Sequence, residues 1–170
     1  MTTALSAIST CWRGDGIHPA LAHVSPIMTD LSNPAVFKAM NDPVVEEFRT
    51  KDGTVGGQFE GADLLLLTTT GAKSGQSRLA PLAYFEIDGK LIIVGSKGGY
   101  EKSPDWVHNL RANPRAHVEI GSTSYDVVAR ELPSVERADT YPKVVALQPA
   151  FGDYQAKTTR VIPLFELARA

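Results

Sequence analysis

The chain has little of what several large protein classes require. Cys11 is its only cysteine, which excludes an internal disulfide and a multi-cysteine metal site and suits a reducing compartment. The 17 lysine and arginine residues do not exceed the 19 aspartate and glutamate residues, so no overall positive field draws in nucleic acid. No apolar run approaches the roughly 18 to 20 residues of a membrane span. We therefore expect a soluble, cytoplasmic protein without a nucleic-acid partner.

Residues 1–32 differ from the rest of the chain. They are small, polar and glycine-punctuated, and their His18 and His23 lack the carboxylate or cysteine partners of a metal site, so we expect no bound metal. No linker rich in proline, glycine or serine divides the remainder. We predict an N-terminal extension over 1–32 and one domain over 33–170, monomeric or homodimeric. Contact of the extension with a partner or with the inner face of a membrane stays open.

Strand patterns outnumber helix patterns after residue 60. Three successive strands, the last two joined by the hairpin signal Asp88-Gly89, predict an antiparallel meander. The predicted strands are 63–70, 78–87, 90–97, 115–121, 123–132 and 160–167. Because most of them connect by hairpins, we predict a mainly β, antiparallel fold, a small closed or half-open barrel with peripheral helices.

Four helix patterns accompany the strands. Asn33-Pro34 and Asp42-Pro43 each pair an N-cap residue with proline at the first helical position, which predicts two short helices. A third helix is predicted over 103–112, between two X-Pro boundaries. Ser134 is predicted to cap a fourth helix, in which Pro142 marks a kink or a break.

The turn between the first two predicted strands is suited to an anion. The apolar run 64–67 leads into Gly71-Ala72-Lys73-Ser74-Gly75-Gln76-Ser77-Arg78. Gly71 and Gly75 permit backbone conformations that other residues disfavour, so amide N–H groups and Lys73 can converge on one point. The same residues fit an ordinary hairpin turn with solvated charges, because no full P-loop pattern is present.

Further motifs follow this turn in an order typical of one family. They are Glu60-Gly61, Pro81-Leu82, Ser96-Lys97-Gly98-Gly99, Lys102-x-Pro104-x-Trp106, Asn109-Leu110-x-Ala112-Asn113-Pro114, Asp153-Tyr154-Gln155 and Arg160-x-Ile162-Pro163. With the turn they span most of residues 41–165 and resemble the deazaflavin (F420)-dependent nitroreductase and F420H2-dependent quinone reductase family. The resemblance implies a split β-barrel like those that bind FMN.

The resemblance also implies a cofactor and the residues that hold it. F420 carries a flat tricyclic ring, a ribityl chain and a tail with a phosphodiester and several carboxylates. By the family pattern, Lys73 and the amides around Ser74 and Gly75 hold the phosphate, while Arg78 makes a bidentate contact. The other implied cofactor contacts are Pro81, Leu82, Ser96, Lys97, Trp106 and Asn109. Four of these residues also fit a purely structural role. Pro81 and Leu82 fit the core, Trp106 fits a helix anchor, and Asn109 fits a hydrogen-bonding cap.

The implied reaction is hydride transfer from reduced F420 to a small-molecule acceptor: a quinone, a nitro compound or an activated unsaturated compound. Tyr154 matches a family tyrosine that lines the acceptor pocket. Tyr154 and Ser96 are the two candidate catalytic residues. Gln148 and Phe151 complete the predicted substrate pocket. They occupy positions where the best-known nitroreducing members carry tyrosines, so we expect a shifted acceptor preference.

Two alternatives remain. An FMN-binding split-barrel oxidoreductase predicts a protein that is yellow as purified. A non-catalytic F420 carrier or binding protein predicts binding without turnover, because binding residues are better represented here than any chemical acid or base.

Overall fold

Six strands form a closed antiparallel barrel within residues 33–170, the part of the chain that the computed structural model describes. The strands are β1 Leu64–Thr70, β2 Ser77–Ile87, β3 Lys90–Val94, β4 Arg115–Ile120, β5 Thr123–Glu131 and β6 Leu164–Arg169. Around the barrel their order is β1-β2-β3-β6-β5-β4, with β4 pairing back to β1. The predicted mainly β, antiparallel barrel is confirmed. The predicted extension 1–32 lies outside the described residues.

Alternation along the strands divides the side chains between the interior and the outer face. Leu65 and Leu67 of β1 meet Phe165 of β6 inside the barrel. Trp106 and Leu110, from helix α2 (Asp105–Ala112), belong to the same buried cluster. This helix therefore completes the barrel core instead of lying on its outer surface.

The other helices cover the outer face on two sides. Helix α1 (Pro34–Thr50) packs Phe48 against Leu64 and Leu66, which point outwards from β1. Helices α3 (Ser134–Leu147) and α4 (Ala150–Lys157) pack against the outer residues of β3 and β6. Within residues 33–170, every helix is too short or too polar to cross a bilayer.

Helix α1 is continuous where the sequence predicts two helices. Asn33 caps it as expected, since its Oδ1 accepts a hydrogen bond from the Ala35 N–H at 2.9 Å. Pro43, however, lies inside the helix and does not end it, so the prediction of a second helix there is wrong. Val44 and Phe48 pack on the barrel beyond the proline, and this contact compensates for the hydrogen bond that proline removes.

Other boundaries also differ from prediction, and the strand predicted over 90–97 ends at Val94. Ser134 is the first residue of α3 and not its cap, because Pro133 holds the N-cap position without a side-chain hydrogen bond. Pro142 does not break α3, which runs to Leu147 with Tyr141 and Val144 buried on either side of the proline. The last strand begins at residue 164 and not 160, and helix α4 has no counterpart among the predicted elements.

Candidate active site

The barrel wall is split where β2 extends beyond β3. β2 pairs with β1 over residues 77–83, but with β3 only over residues 84–87. The Tyr84 N–H donates to the Asp63 carbonyl at 3.0 Å on the β1 side, so the amides of the odd-numbered residues point towards β3. Pro81 has no N–H and therefore leaves no donor there. We call residues 77–83 the open edge of β2.

The turn that leads into the open edge is closed by its own hydrogen bonds. The Gly71 N–H donates to the Gln76 carbonyl at 2.8 Å, and the Gly75 N–H donates to the Gly71 carbonyl at 2.8 Å. The Gln76 N–H donates to Ser74 Oγ at 3.3 Å. Gly75 has a φ of +66°, a left-handed conformation that strongly favours glycine. The predicted glycine-bracketed turn is thus present at 71–76.

Two adjacent amides of this turn have no acceptor among the described residues, namely those of Lys73 and Ser74. Both residues are exposed, and Lys73 carries a positive charge beside the two N–H groups. Arg78 follows on β2, opposite Thr69 of β1, and is also exposed. Consecutive free amides next to cations form a site that favours an anion.

Asn109 connects this turn to helix α2. Its Oδ1 accepts from the Ala72 N–H at 2.9 Å, and its Nδ2 donates to Thr69 Oγ1 at 3.0 Å. The side chain is only 6% exposed. The structure therefore brings Asn109 to the turn, with both ends of its amide bonded within the protein. A direct contact of Asn109 with the cofactor stays a prediction.

Ser96 and Lys97 follow the end of β3, the strand that pairs with β2 next to the open edge. Ser96 is 8% exposed, and its hydroxyl makes no hydrogen bond to any residue of 33–170. Lys97 begins a short 3-10 turn, Lys97–Gly99, with a φ of +45°. Its Nζ lies 5.6 Å from the centroid of the Phe37 ring on α1, a cation–π contact.

Arg160 holds this segment in place. Its Nη2 donates to the carbonyls of Gly95 at 3.0 Å and Ser96 at 2.8 Å, and its Nε donates to the Tyr100 carbonyl at 2.8 Å. Burial lowers the pKa of Arg160, with Glu101 acting in the opposite direction. The sequence gives no sign of this role, because the contacts of Arg160 are with residues 60 to 65 positions earlier in the chain.

Gln155 ties α4 to the same region. Its Oε1 accepts from Arg137 Nη2 at 2.7 Å and from the Ile162 N–H at 3.0 Å, while its Nε2 donates to the Arg160 carbonyl at 2.8 Å. The sequence shows this glutamine within a family motif, but nothing nearby reveals these partners. Arg160 and Gln155 together hold the segment after β3, the loop before β6 and α4 as one unit.

Tyr154 lies on α4, beside the segment that carries Ser96. Burial raises the pKa of its phenol, and the charge of Asp153 raises it further. The ring packs edge-on against Phe151, with centroids 5.4 Å apart, and Lys157 Nζ lies 5.7 Å from the Tyr154 ring centroid. The phenol makes no hydrogen bond to another residue in the described part of the chain. It is therefore a protonated donor without an internal acceptor.

The other two predicted pocket residues differ in placement. Phe151 is buried, packs edge-on against Phe85 at 5.4 Å and accepts a hydrogen bond at its carbonyl from the Tyr141 hydroxyl at 2.8 Å. Gln148 ends α3, and its Nε2 is buried without an acceptor among residues 33–170. Phe151 is thus part of the outer core, while Gln148 retains an unused donor.

Three predicted cofactor contacts, Pro81, Leu82 and Trp106, lie in the strand β2 or in the core of the barrel. Trp106 is 5% exposed and packs against Phe165 in the barrel core, with centroids 5.6 Å apart. Leu82 packs on the interior cluster, whereas the adjacent Pro81 must point to the opposite face of β2. Pro81 and Leu82 therefore do not line one face together. Ala80 shares the inner face with Leu82.

Within residues 33–170, no group of three or more His, Cys, Asp or Glu side chains is arranged to hold a metal ion. The donors of the turn 71–76 and of the segment after β3 are amides, hydroxyls and cations. They suit an anionic organic ligand.

Comparison with known proteins identifies the family. A family model described as F420H(2)-dependent quinone reductase matches residues 42–168. The chain belongs to this family. An F420H(2)-dependent quinone reductase of Mycobacterium tuberculosis is 35% identical over 128 residues, which cover 72% of this chain and 85% of that protein. The family named from the sequence motifs is confirmed.

Two solved structures agree with this assignment. An F420-H2 dependent reductase (FDR-A) is 43% identical and superposes with a TM-score of 0.56, covering 62% of this chain and 93% of its own. A second structure, described as a domain-swapped dimer, is 38% identical with a TM-score of 0.57, covering 79% of this chain and 99% of its own. The predicted split β-barrel is therefore confirmed.

Proposed function

We propose that the protein is an oxidoreductase that transfers a hydride from F420H2 to a quinone. The observation that carries the proposal is the pair of free amides at Lys73 and Ser74, beside the open edge of β2, in a chain of the F420H(2)-dependent quinone reductase family. The family gives no support to the alternative of an FMN enzyme.

The residues of the turn fit the cofactor's tail. F420 carries a phosphodiester and several carboxylates, and the turn offers two amides, the Ser74 hydroxyl and the Lys73 ammonium, with Arg78 next on β2. No acidic residue occurs between Gly71 and Arg78. Each charge-assisted hydrogen bond to such an anion contributes about 1.5 to 3 kcal/mol.

The open edge of β2 fits the cofactor's ring. Pro81 lies on the outer face of β2, on the same side as Phe85, which packs in one cluster with Phe151 and Tyr154. Ser96 and Lys97 follow the neighbouring strand. A flat ring binds in an apolar slot with a few polar groups at its edge. Lys97 supports the proposal as a further cation for the tail or for polar atoms of the ring.

Reduction of a quinone to a hydroquinone takes up one hydride and one proton. Bound F420H2 supplies the hydride, and a proton must reach the developing oxygen anion of the acceptor. Tyr154 can provide it, because its phenol carries a proton and has no acceptor among the described residues. Solvent then restores the phenol proton.

Ser96 and Gln148 are the supporting polar groups. The Ser96 hydroxyl can donate a hydrogen bond to a reacting oxygen, and Gln148 Nε2 is a buried donor without an acceptor among residues 33–170. A carbonyl or nitro oxygen would satisfy that donor. Quinones are our first acceptor class and nitro compounds the second, because Phe151 supplies no hydroxyl.

We also propose a homodimer as the assembly. The support is the domain-swapped dimer among the similar solved structures. Light scattering during size-exclusion chromatography tests it: a mass near 37 kDa, about twice the chain mass of 18.3 kDa, supports the dimer by the two-fold association common among homo-oligomers. A mass equal to one chain contradicts it.

The test of function is a fluorescence titration with oxidised F420 and with FMN, followed by turnover of F420H2 with a water-soluble quinone. Lys73→Ala should raise the Kd for F420 about tenfold and make the affinity less dependent on salt. Lys143→Ala is the matched control, because it removes the same charge near Asp88, at the other end of β2.

The outcomes separate the alternatives. Binding of F420 that K73A weakens and K143A does not, together with quinone-dependent oxidation of F420H2, supports the proposal. Binding without turnover indicates a carrier. Tighter binding of FMN than of F420 would overturn the cofactor assignment.

A further inference from the structure

Among the described residues, one buried side chain bonds the turn 71–76 to a part of the protein other than the two strands that flank it. Its other hydrogen bonds run between its own residues, apart from the strand pairing at its two ends. Among the described residues, only the Ala72 N–H bonds outside the turn, and its acceptor is Asn109 Oδ1 at 2.9 Å. Beyond the pairing of β1 with β2, the position of the turn relative to the barrel therefore depends on Asn109.

The orientation of the Asn109 amide is fixed by its partners. A backbone N–H can only donate, so the atom that faces Ala72 must be the amide oxygen. The amide nitrogen then donates to Thr69 Oγ1 at 3.0 Å, inside the end of β1. Asn109 thus joins helix α2, strand β1 and the turn.

The base of this link is rigid. Asn109 lies on α2 between Trp106 and Leu110, which are both buried in the barrel core. A shift of α2 would disturb that packing, and core packing resists small displacements. The Ala72 N–H is therefore held at a fixed distance from the core, although Ala72 itself is exposed.

We propose that Asn109 is a positioning residue for the anion-binding turn and acts through the Ala72 N–H. By fixing Ala72, it directs the next two amides, those of Lys73 and Ser74, towards one point. This inference rests on the proposed function, since the anion it concerns is the phosphodiester of F420. Donors that are already oriented bind an anion without an ordering cost.

A positioning role and a general structural role of Asn109 predict different effects on ligand binding. Loss of the link should weaken binding of the tail and leave the ring slot unchanged. Two ligands separate these effects: complete F420, and the same deazaflavin ring with its ribityl chain but without the phosphate-bearing tail. The ratio of their dissociation constants measures the contribution of the tail alone.

Two variants test it from the two ends of one hydrogen bond. Asn109→Leu keeps a side chain of similar size and removes both hydrogen bonds. Ala72→Pro removes the donor in an exposed turn, so the core stays untouched. Leu110→Ala is the matched control, because it destabilises the same helix through a core cavity without changing a contact of the turn.

We expect N109L and A72P to raise the Kd for complete F420 about tenfold and to change the Kd for the tail-less ring by less than about twofold. L110A should lower the unfolding midpoint without altering the ratio of the two constants. Hydrogen exchange of the protein without ligand should be faster at Ala72 in N109L than in wild type.

The proposal is overturned if N109L weakens both ligands equally, if A72P leaves the ratio unchanged, or if exchange at Ala72 is the same in N109L and wild type. Failure of the wild-type protein to bind complete F420 would instead overturn the proposed function. In that case the exchange result decides on its own whether Asn109 positions the turn.

Discussion

Gly99 approaches the backbone of Tyr154 so closely that a Cβ atom at position 99 would lie 2.7 Å from the Tyr154 carbonyl oxygen. Gly99 also has a φ of +85°, in the left-handed region. The segment that follows β3 and the helix that carries the candidate proton donor are therefore in contact, at a distance that leaves no space for a side chain.

This contact predicts that Gly99→Ala lowers kcat. The methyl group must push the Lys97–Gly99 turn away from α4, and this separates Ser96 from Tyr154. Steady-state kinetics with F420H2 and quinone measure the effect. Gly98→Ala is the control, since Gly98 has a similar φ of +62° but open space around it, and should lose only about 1 kcal/mol of stability. Equal kcat values for the two variants would contradict the prediction.

Arg160→Lys should lower both stability and kcat. Lysine keeps the charge but cannot donate to the carbonyls of Gly95, Ser96 and Tyr100 together, as the guanidinium does. We expect a loss of about 1 to 3 kcal/mol in the free energy of unfolding and faster hydrogen exchange over 95–100. The Kd for F420 should rise less than in K73A, because the turn 71–76 is held separately and only the contacts of Ser96 and Lys97 are loosened. Unaltered exchange over 95–100 would count against the assigned role of Arg160.

Tyr154→Phe should lower kcat about 100-fold, which is within the range for loss of one proton donor. The pKa of the phenol is raised by burial and by Asp153, so wild-type activity should decline only at a pH above the ordinary tyrosine value of about 10. Deprotonation removes the donor, so kcat falls as the pH rises. Y154F should lack this decline.

The same shift in pKa has a consequence for stability. The folded state holds the Tyr154 proton more tightly than the unfolded state does, so its contribution is present below about pH 10 and is lost as the pH rises. Thermal unfolding must therefore be followed at each pH used for the kinetics. A decline of activity that Y154F shares with wild type would exclude Tyr154 as its source.

Trp106→Ala tests whether the indole is an anchor or a ligand contact. Trp106 is buried against Phe165, so its truncation should lower the free energy of unfolding by about 3 to 5 kcal/mol. The Kd for F420, measured on the folded fraction, should stay within about twofold of wild type. Trp106→Phe keeps an aromatic ring in the core and provides a milder variant. Weaker binding of F420 by W106F at unchanged stability would restore the predicted cofactor contact.

Local signals in the sequence were sufficient to predict that the six strands and the turn exist, although not where every strand begins or ends. Leu64-Leu65-Leu66-Leu67 shows a buried strand within four residues, and Gly75 supplies the left-handed position that the turn requires. Proline was a weaker signal for the ends of helices. Pro43 and Pro142 remain inside helices, because the apolar residues beyond each proline pack against the barrel.

The parts that sequence could not provide depend on long-range contacts. Asn109 meets Thr69 across 40 residues, and Arg160 meets Ser96 across 64. No periodicity or turn pattern encodes such pairs, since they arise only when the barrel closes. The opposite directions of Pro81 and Leu82 follow from strand alternation, and the strand was predicted. The resemblance nevertheless implies that both residues contact the cofactor, because the family motif contains them together.

Two hydrogen-bond networks hold the turn 71–76 and the segment after β3, and within residues 33–170 their hydrogen bonds share no residue. One runs from Thr69 through Asn109 to Ala72, and the other joins Arg160 and Gln155 to α4 and the segment after β3. Under the proposed roles, a substitution in the second network alters the surroundings of the acceptor and leaves the turn that binds the cofactor's tail in place. Acceptor preference can then change without a change in the binding of the tail.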